Sequence, residues 1–281
     1  MPLLDTLTVR AARTYARLTM APTLERSGHE EIEATVSAVC DLGGGIRRVT
    51  VAAPRLAHFE PVGPDEYLGL LMPPEGGALV MPEPGFENVR TAVAAIPEHE
   101  RPALRWYTVA EHRPERCELD LDIVTHGDSG PGSAWAVRAT VGQPVGLRTG
   151  GALYRGHECE GPQLLVGDET ALPALAAIVR ELRAQNGLHR AIVHVEVADA
   201  ARAAGYDLGA DARVHPRGDA APGAVVLSAL RAEPLPELGY AWVCGEAGLA
   251  TGVRRHLVTD RSTDRRRVLF SGYWKLGQKR G

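Results

Sequence analysis

The sequence has few cysteines, no long apolar run and no excess of basic charge, and each shortage removes a class of function. Four cysteines, Cys40, Cys117, Cys159 and Cys244, are spread over 281 residues without a C-x-x-C pair. Zinc and iron–sulfur ligation therefore lack support. A disulfide framework does not suit so long a chain, and a reducing cytoplasm is the expected setting. No window approaches ~20 uninterrupted apolar residues, so no membrane-spanning helix is expected. The first twenty residues carry Arg10, Arg13 and Arg17 and lack the apolar stretch of a signal peptide. Lys plus Arg (31) falls short of Asp plus Glu (35), a net charge of −4. General nucleic-acid binding rests on cationic contacts to phosphates, so nucleic acid is not an expected partner. There is no internal repeat, and no extended apolar surface pattern, which makes a monomer the expectation. What is present is core material. Apolar residues are 44% and charged residues 23%, a globular balance at a length suited to one large or two ordinary domains.

The first half reads as β. Residues 33–39, 46–52, 67–72, 79–81, 105–109, 117–125 and 143–147 are short strand-like runs bounded by Gly and Pro. In 117–125, Cys117, Leu119, Leu121 and Ile123 alternate with Glu118, Asp120 and Asp122, which predicts one apolar and one acidic face. Many short strands with turns between them argue for a barrel or sandwich. The second half changes rhythm. Strand-like runs at 163–166, 191–197, 224–227, 240–244 and 267–270 alternate with helix-like segments at 171–183 and 249–258, the latter weakened by Gly252. That alternation predicts a parallel α/β sheet. The change falls in the Gly-rich, polar stretch 150–162.

Three segments carry chemistry. In Arg105-Trp106-Tyr107-Thr108, strand alternation puts Arg105 and Tyr107 on one face and Thr108 on the other. A flavin dinucleotide needs a cation for its diphosphate, an aromatic surface for its ring and hydroxyls for its polar edge, though an ordinary strand with an exposed Arg would read the same. In residues 126–135, Gly127, Gly130 and Gly132 free the backbone to turn amides toward an anion. Ser133 can start a short helix whose N-terminus favours phosphate; a flexible hairpin is the plain alternative. In residues 166–173, Gly167 permits a sharp strand-to-helix turn and Thr170 is the expected N-cap, with free amides beyond it. This is not the G-x-G-x-x-G fingerprint, because Asp168 and Glu169 occupy the loop. Two carboxylates beside a diphosphate are electrostatically awkward, and pointing at a flavin or a domain interface are the alternatives. Cys244-Gly245-Glu246 is a second such turn. Asp199, beyond the strand 191–197, is placed to bind a ribose hydroxyl and favour NADH.

Taken in order, R-W-Y-T, E-L-D-L-D-I-V-T-H-G-D-S-G-P-G-S-A-W-A, L-L-V-G-D-E-T-A-L-P-A, W-V-C-G-E-A-G and S-G-Y-W-K-L-G resemble the siderophore-interacting family of flavoprotein reductases, relatives of ferredoxin reductases. The resemblance runs from about Gly45 to Gly277. It implies an α+β two-domain chain: an N-terminal antiparallel Greek-key β-barrel binding FAD (1–150), a linker (151–162) and a C-terminal parallel-sheet α/β domain of NAD(P)H-binding type (163–281). Carried over by position, Arg105, Tyr107 and Thr108 hold the flavin and its phosphates, and His126, Gly130, Pro131 and Ser133 continue the cradle. Trp135 packs the short helix. Gly167 and Thr170 line the donor-nucleotide side, and the turn at Glu246 lies beside the nicotinamide.

The implied activity is reduction of a ferric siderophore, with NADH, NADPH or reduced ferredoxin as donor. Siderophores hold Fe(III) through hard oxygen donors and hold Fe(II) more weakly, so reduction loosens the complex. Such substrates are often anionic, and Lys275, Lys279 and Arg280 are the expected basic contacts. Two readings compete: a flavoprotein reductase serving another acceptor, and a siderophore-binding protein without turnover. One departure bears on the first. Gly69 stands where many relatives have a basic residue. Arg148-Thr149-Gly150-Gly151 also lacks the family's usual G-P.

Overall fold

A computed structural model describes residues 19–125 and 130–278. The chain divides into two compact units. The first takes in residues 25–62 and Glu66–Ala152. Its six strands are β1 (Glu31–Gly43), β2 (Ile46–Ala52), β3 (Tyr67–Met72), β4 (Ala103–Arg113), β5 (Glu118–Val124) and β6 (Pro144–Gly151). They close into an antiparallel barrel in the order β1-β2-β5-β4-β3-β6. Alternation fills it: Val36, Val49, Val51, Leu68, Leu70, Leu119, Leu121, Val145 and Leu147 share one core. Helix α1 (Val89–Ala95) covers an outer face, where Val89 and Val93 pack with Leu71, Leu104 and Trp106. Helix α2 (Pro131–Arg138) packs on β2, β4 and β5 and delivers Trp135 and Ala136 to the barrel core.

The acidic face of β5 is present but is not solvated. Asp122 takes Arg48 at 2.7 and 2.9 Å, and Asp120 takes Arg113 at 2.7 and 2.8 Å and the Thr50 hydroxyl at 2.7 Å. Burial alone would raise Asp120, but these donors outweigh it and hold the carboxyl below its usual range. Cys117 lies before the strand, in left-handed backbone at φ 55°. No strand forms at 79–81, where Met81 instead packs against the cluster under α1.

The second unit takes in the described residues up to Leu24, then Gly63–Asp65, then Leu153 onward. Strands β7 (Gln163–Asp168), β8 (Ala191–Val197), β9 (Arg213–Pro216), β10 (Tyr240–Glu246) and β11 (Val268–Trp274) form one parallel sheet in the order β11-β10-β7-β8-β9. The helices are α3 (Leu172–Ala184), α4 (Ala224–Ala232) and α5 (Ala247–Arg255), the last running into a π-turn at His256–Asp260. β7 and β10 are buried along their whole length, as central parallel strands covered on both faces must be. Asp65 pins this unit. Its carboxylate accepts the Leu153 and Tyr154 amides and the Trp242 indole N–H, each at 3.0 Å. Burial still pushes it up to about 6.

Residues 224–227 are helix, not strand. Gly223 adopts φ 86°, and the Glu196 carboxylate accepts the amides of Gly223, Val225 and Val226, which starts α4 there. The third strand is β9, whose exposed R-V-H-P carries no apolar signal. Among the described residues, no helix is long and apolar enough to cross a membrane.

Candidate functional site

On β4 the side chains of Arg105 and Tyr107 stand together, and the first turn of α2 is pressed against them. A Cβ on Gly132 would lie 2.1 Å from the Tyr107 hydroxyl and 3.4 Å from Arg105 Cγ. No side chain fits there, and that is what lets a helix backbone approach so closely. Gly130 enters the helix at φ 95°, Pro131 opens it, and among the described residues no side chain caps it. Ser133 is buried in the first turn. Arg105 also donates to the Leu104 carbonyl at 2.7 Å. Burial drives the Tyr107 phenol well above its ordinary value, so it stays neutral and keeps its proton to donate. A cation, a phenol and a helix N-terminus at one spot suit a diphosphate, and the aromatic ring suits a flavin. The residues present fit FAD. Thr108 is buried on the opposite face of β4, in register with Tyr67. His126 lies outside the described residues.

Gly69 has a packing reason. It pairs with Trp106 on one side and Arg148 on the other, and a Cβ would come within 2.8 Å of Leu104 Cδ1. The cation of this patch is Arg148 on β6, only 3% exposed, paired with Glu31 and donating to the Phe86 carbonyl at 2.8 Å. Burial pulls Arg148 below its ordinary value. Its place as the one charged residue of a buried strand is the signal that marks it.

In the second unit, Gly167, Thr170 and Glu246 gather at the carboxyl ends of β7 and β10, and Asp168 joins them. A Cβ on Gly167 would meet Ala171 Cβ at 2.7 Å, so glycine allows the turn. Thr170 is not the N-cap. Asp168 is: its Oδ1 accepts the Thr170 amide at 2.9 Å and the Thr170 hydroxyl at 2.5 Å. Its Oδ2 accepts the Glu246 amide at 2.7 Å and the Trp274 indole N–H at 2.8 Å. Burial pushes Asp168 up to about 6 against the bonds from Thr170 and Trp274. Glu246 is buried, not an exposed turn residue. It caps α5 through the Gly248 and Leu249 amides and accepts Leu276 N–H at 3.1 Å. Glu169 is held by Arg217 through two 2.7 Å bonds. Asp199 spends one oxygen on the Ala201 amide at 2.8 Å. Lys275 is exposed just beyond β11, and Lys279 and Arg280 lie outside the described residues. The sequence leaves Asp168 facing a flavin or a domain interface, whereas its carboxylate bonds within this turn, to Thr170 and Glu246. Sequence reasoning passed over Trp274, inside the closing motif.

Comparison with known proteins places this geometry in a class. The ferredoxin reductase of carbazole 1,9a-dioxygenase superposes with a TM-score of 0.60 at 16% identity, over 88% of this chain and 70% of that one. At that identity the likeness is one of fold, the ferredoxin-reductase-like pairing of a barrel with a parallel α/β unit. Residues 35–152 match the siderophore-interacting FAD-binding domain, and residues 161–277 match the siderophore-interacting protein model. The chain is 30% identical over 191 residues to the ferric vibriobactin reductase of Vibrio cholerae, covering 65% of this chain and 68% of that protein. A siderophore utilization protein from T. fusca superposes with a TM-score of 0.75 at 28% identity, over 92% of this chain and 97% of that one. The chain belongs to the siderophore-interacting protein family, and its barrel is that family's FAD-binding domain.

Proposed function

We propose that this chain reduces the iron of a ferric siderophore, with FAD held on the barrel unit and a pyridine nucleotide as electron source. The observation that carries the reading is the meeting of Arg105, Tyr107 and the α2 N-terminus across Gly132, inside the span that matches an FAD-binding domain. FAD supplies the step between a hydride donor and a one-electron acceptor, taking electrons as a pair and releasing them singly.

The chain's own residues bind and orient. Arg105 sets a fixed positive charge against the diphosphate. Tyr107, neutral, donates its hydroxyl proton and offers its ring. Gly130, Pro131 and Ser133 shape the amide-rich turn, with His126 as a further contact, and Thr108 serves the polar edge of the flavin. Gly167, Thr170 and Glu246 frame the donor side. Lys275, with Lys279 and Arg280, meets the anionic siderophore. Residues 1–150 are assigned to FAD, 163–281 to the donor and 151–162 to the linker, in a cytoplasmic monomer. Ferredoxin is the alternative donor.

The test starts with the visible spectrum of the purified protein and chromatography of the released flavin. Anaerobic mixing with ferric siderophores then follows, with a chelator that traps Fe(II). A yellow, FAD-releasing protein that yields trapped Fe(II) supports the reading. Flavin that is reduced but passes electrons only to other acceptors favours the second reading, to which Gly69 lends some weight. Tight siderophore binding without Fe(II) marks a binding protein. A colourless protein unable to take up FAD overturns the proposal.

A further inference from the structure

We infer that Asp168 determines how this chain receives a pyridine nucleotide: its carboxylate fills the crevice where the nucleotide's diphosphate would lie, and so keeps that affinity weak. The inference rests on the proposed function only for the identity of the ligand.

In an open parallel sheet, ligands bind beyond the carboxyl ends of the strands, at the point where strand order reverses. Here β7, β8 and β9 run one way across the sheet and β10 and β11 the other, so the switch point lies between β7 and β10. Asp168 ends β7 and Glu246 ends β10. The Asp168 carboxylate bridges that gap, bonded to the Glu246 amide on β10 and the Trp274 indole on β11. A Cβ on Gly245, at φ 139°, would sit 2.7–2.9 Å from the Asp168 carboxyl atoms, so the carboxylate also closes on the backbone of β10. The space is taken by an anion of the chain itself.

The neighbouring donors are taken as well. The Thr170 amide, in the turn that opens α3, bonds to Asp168. The first amides of α4 bond to Glu196, and those of α5 bond to Glu246. The nearby cation Arg217 is engaged by Glu169, and Arg202 lies 3.9 Å from the same carboxylate. The contrast with α2 on the barrel is direct, since among the described residues no carboxylate caps that helix N-terminus. A diphosphate arriving here meets like charge and amides already bonded, whereas the nicotinamide ring carries no such penalty.

The experiment is calorimetric titration of the FAD-loaded protein with ADP-ribose, which carries the diphosphate without the nicotinamide. Asp168→Asn and Asp168→Ser are expected to bind it at least about fivefold more tightly than wild type, with adenosine binding unchanged. Binding to wild type is expected to strengthen as ionic strength rises from about 0.02 to 0.2 M, because screening relieves repulsion. FAD content reports separately on the barrel site, so a protein without FAD defeats the proposed function and not this inference. Unchanged or weaker ADP-ribose affinity in FAD-retaining Asp168 variants overturns it. Should those variants fail to fold, wild-type affinity that falls with added salt overturns it equally.

Discussion

One methyl group decides whether the cradle on the barrel can form. At position 132 its carbon would lie only 2.1 Å from the hydroxyl of the half-buried Tyr107, so that ring would have to turn away from α2. Gly132→Ala is expected to weaken FAD binding at least about tenfold, measured by quenching of flavin fluorescence; undiminished affinity would remove the cradle from that spot. His194 sets a second residue-scale expectation. It is fully buried, its Nδ1 is 3.1 Å from His215 Nε2, and its Nε2 accepts from Arg213 at 2.9 Å. Burial, then the neighbouring His215 and Arg213, lower it from 6.5 to about 4. Between those values the unfolded chain binds the proton and the folded chain does not. The contribution of His194 is therefore complete above pH 6.5 and is lost as pH falls toward 4, by roughly 3 kcal/mol. Urea denaturation should show wild type losing roughly 3 kcal/mol relative to His194→Gln over that range. Asp65 and Asp168, raised to about 6, act in the opposite sense: their folded forms hold protons longer and gain stability as pH falls from 6 toward 3.8. Equal pH slopes for wild type and His194→Gln would count against the assignment.

Among the elements, α4 depends most on a distant residue. Three of its opening amides bond to Glu196, 27 to 30 residues earlier on β8. Charge-assisted bonds to a buried carboxylate are the stronger kind, and removing the acceptor strands the donors. Glu196→Ala is expected to cost roughly 3 kcal/mol, with hydrogen exchange accelerating first in the amides of α4. A loss under half that, or exchange unchanged in α4, would show that the Gly223 turn starts the helix unaided. The same dependence explains the misreading of A-V-V-L. Its composition favours a strand, while its buried positions, Val226 and Leu230, are spaced for a helix whose start lies on another element.

At the scale of the molecule, each unit has its own core, and FAD is assigned to the barrel. A ligand that binds only folded protein stabilises it by mass action, about 2.7 kcal/mol at 100 times Kd. Calorimetry with FAD should therefore raise the unfolding temperature, and Arg105→Ala should blunt the rise. A temperature unmoved by saturating FAD would contradict the barrel site.

The sequence by itself determined the two-part architecture, because strand alternation and the later strand–helix rhythm are local patterns that burial enforces. It also put Arg105 and Tyr107 on one face of β4, through period-two alternation. Tertiary structure alone decided what those residues meet. That Gly132 brings α2 onto Tyr107, that Gly69 makes room for Leu104, and that Asp120 and Asp122 lie under Arg48 and Arg113 are contacts between segments brought together only by the closed barrel. Asp168 is the plainest case. One carboxylate reads as a loop residue until β10 and β11 bring Glu246 and Trp274 to it, and only the order of strands in the sheet could do that.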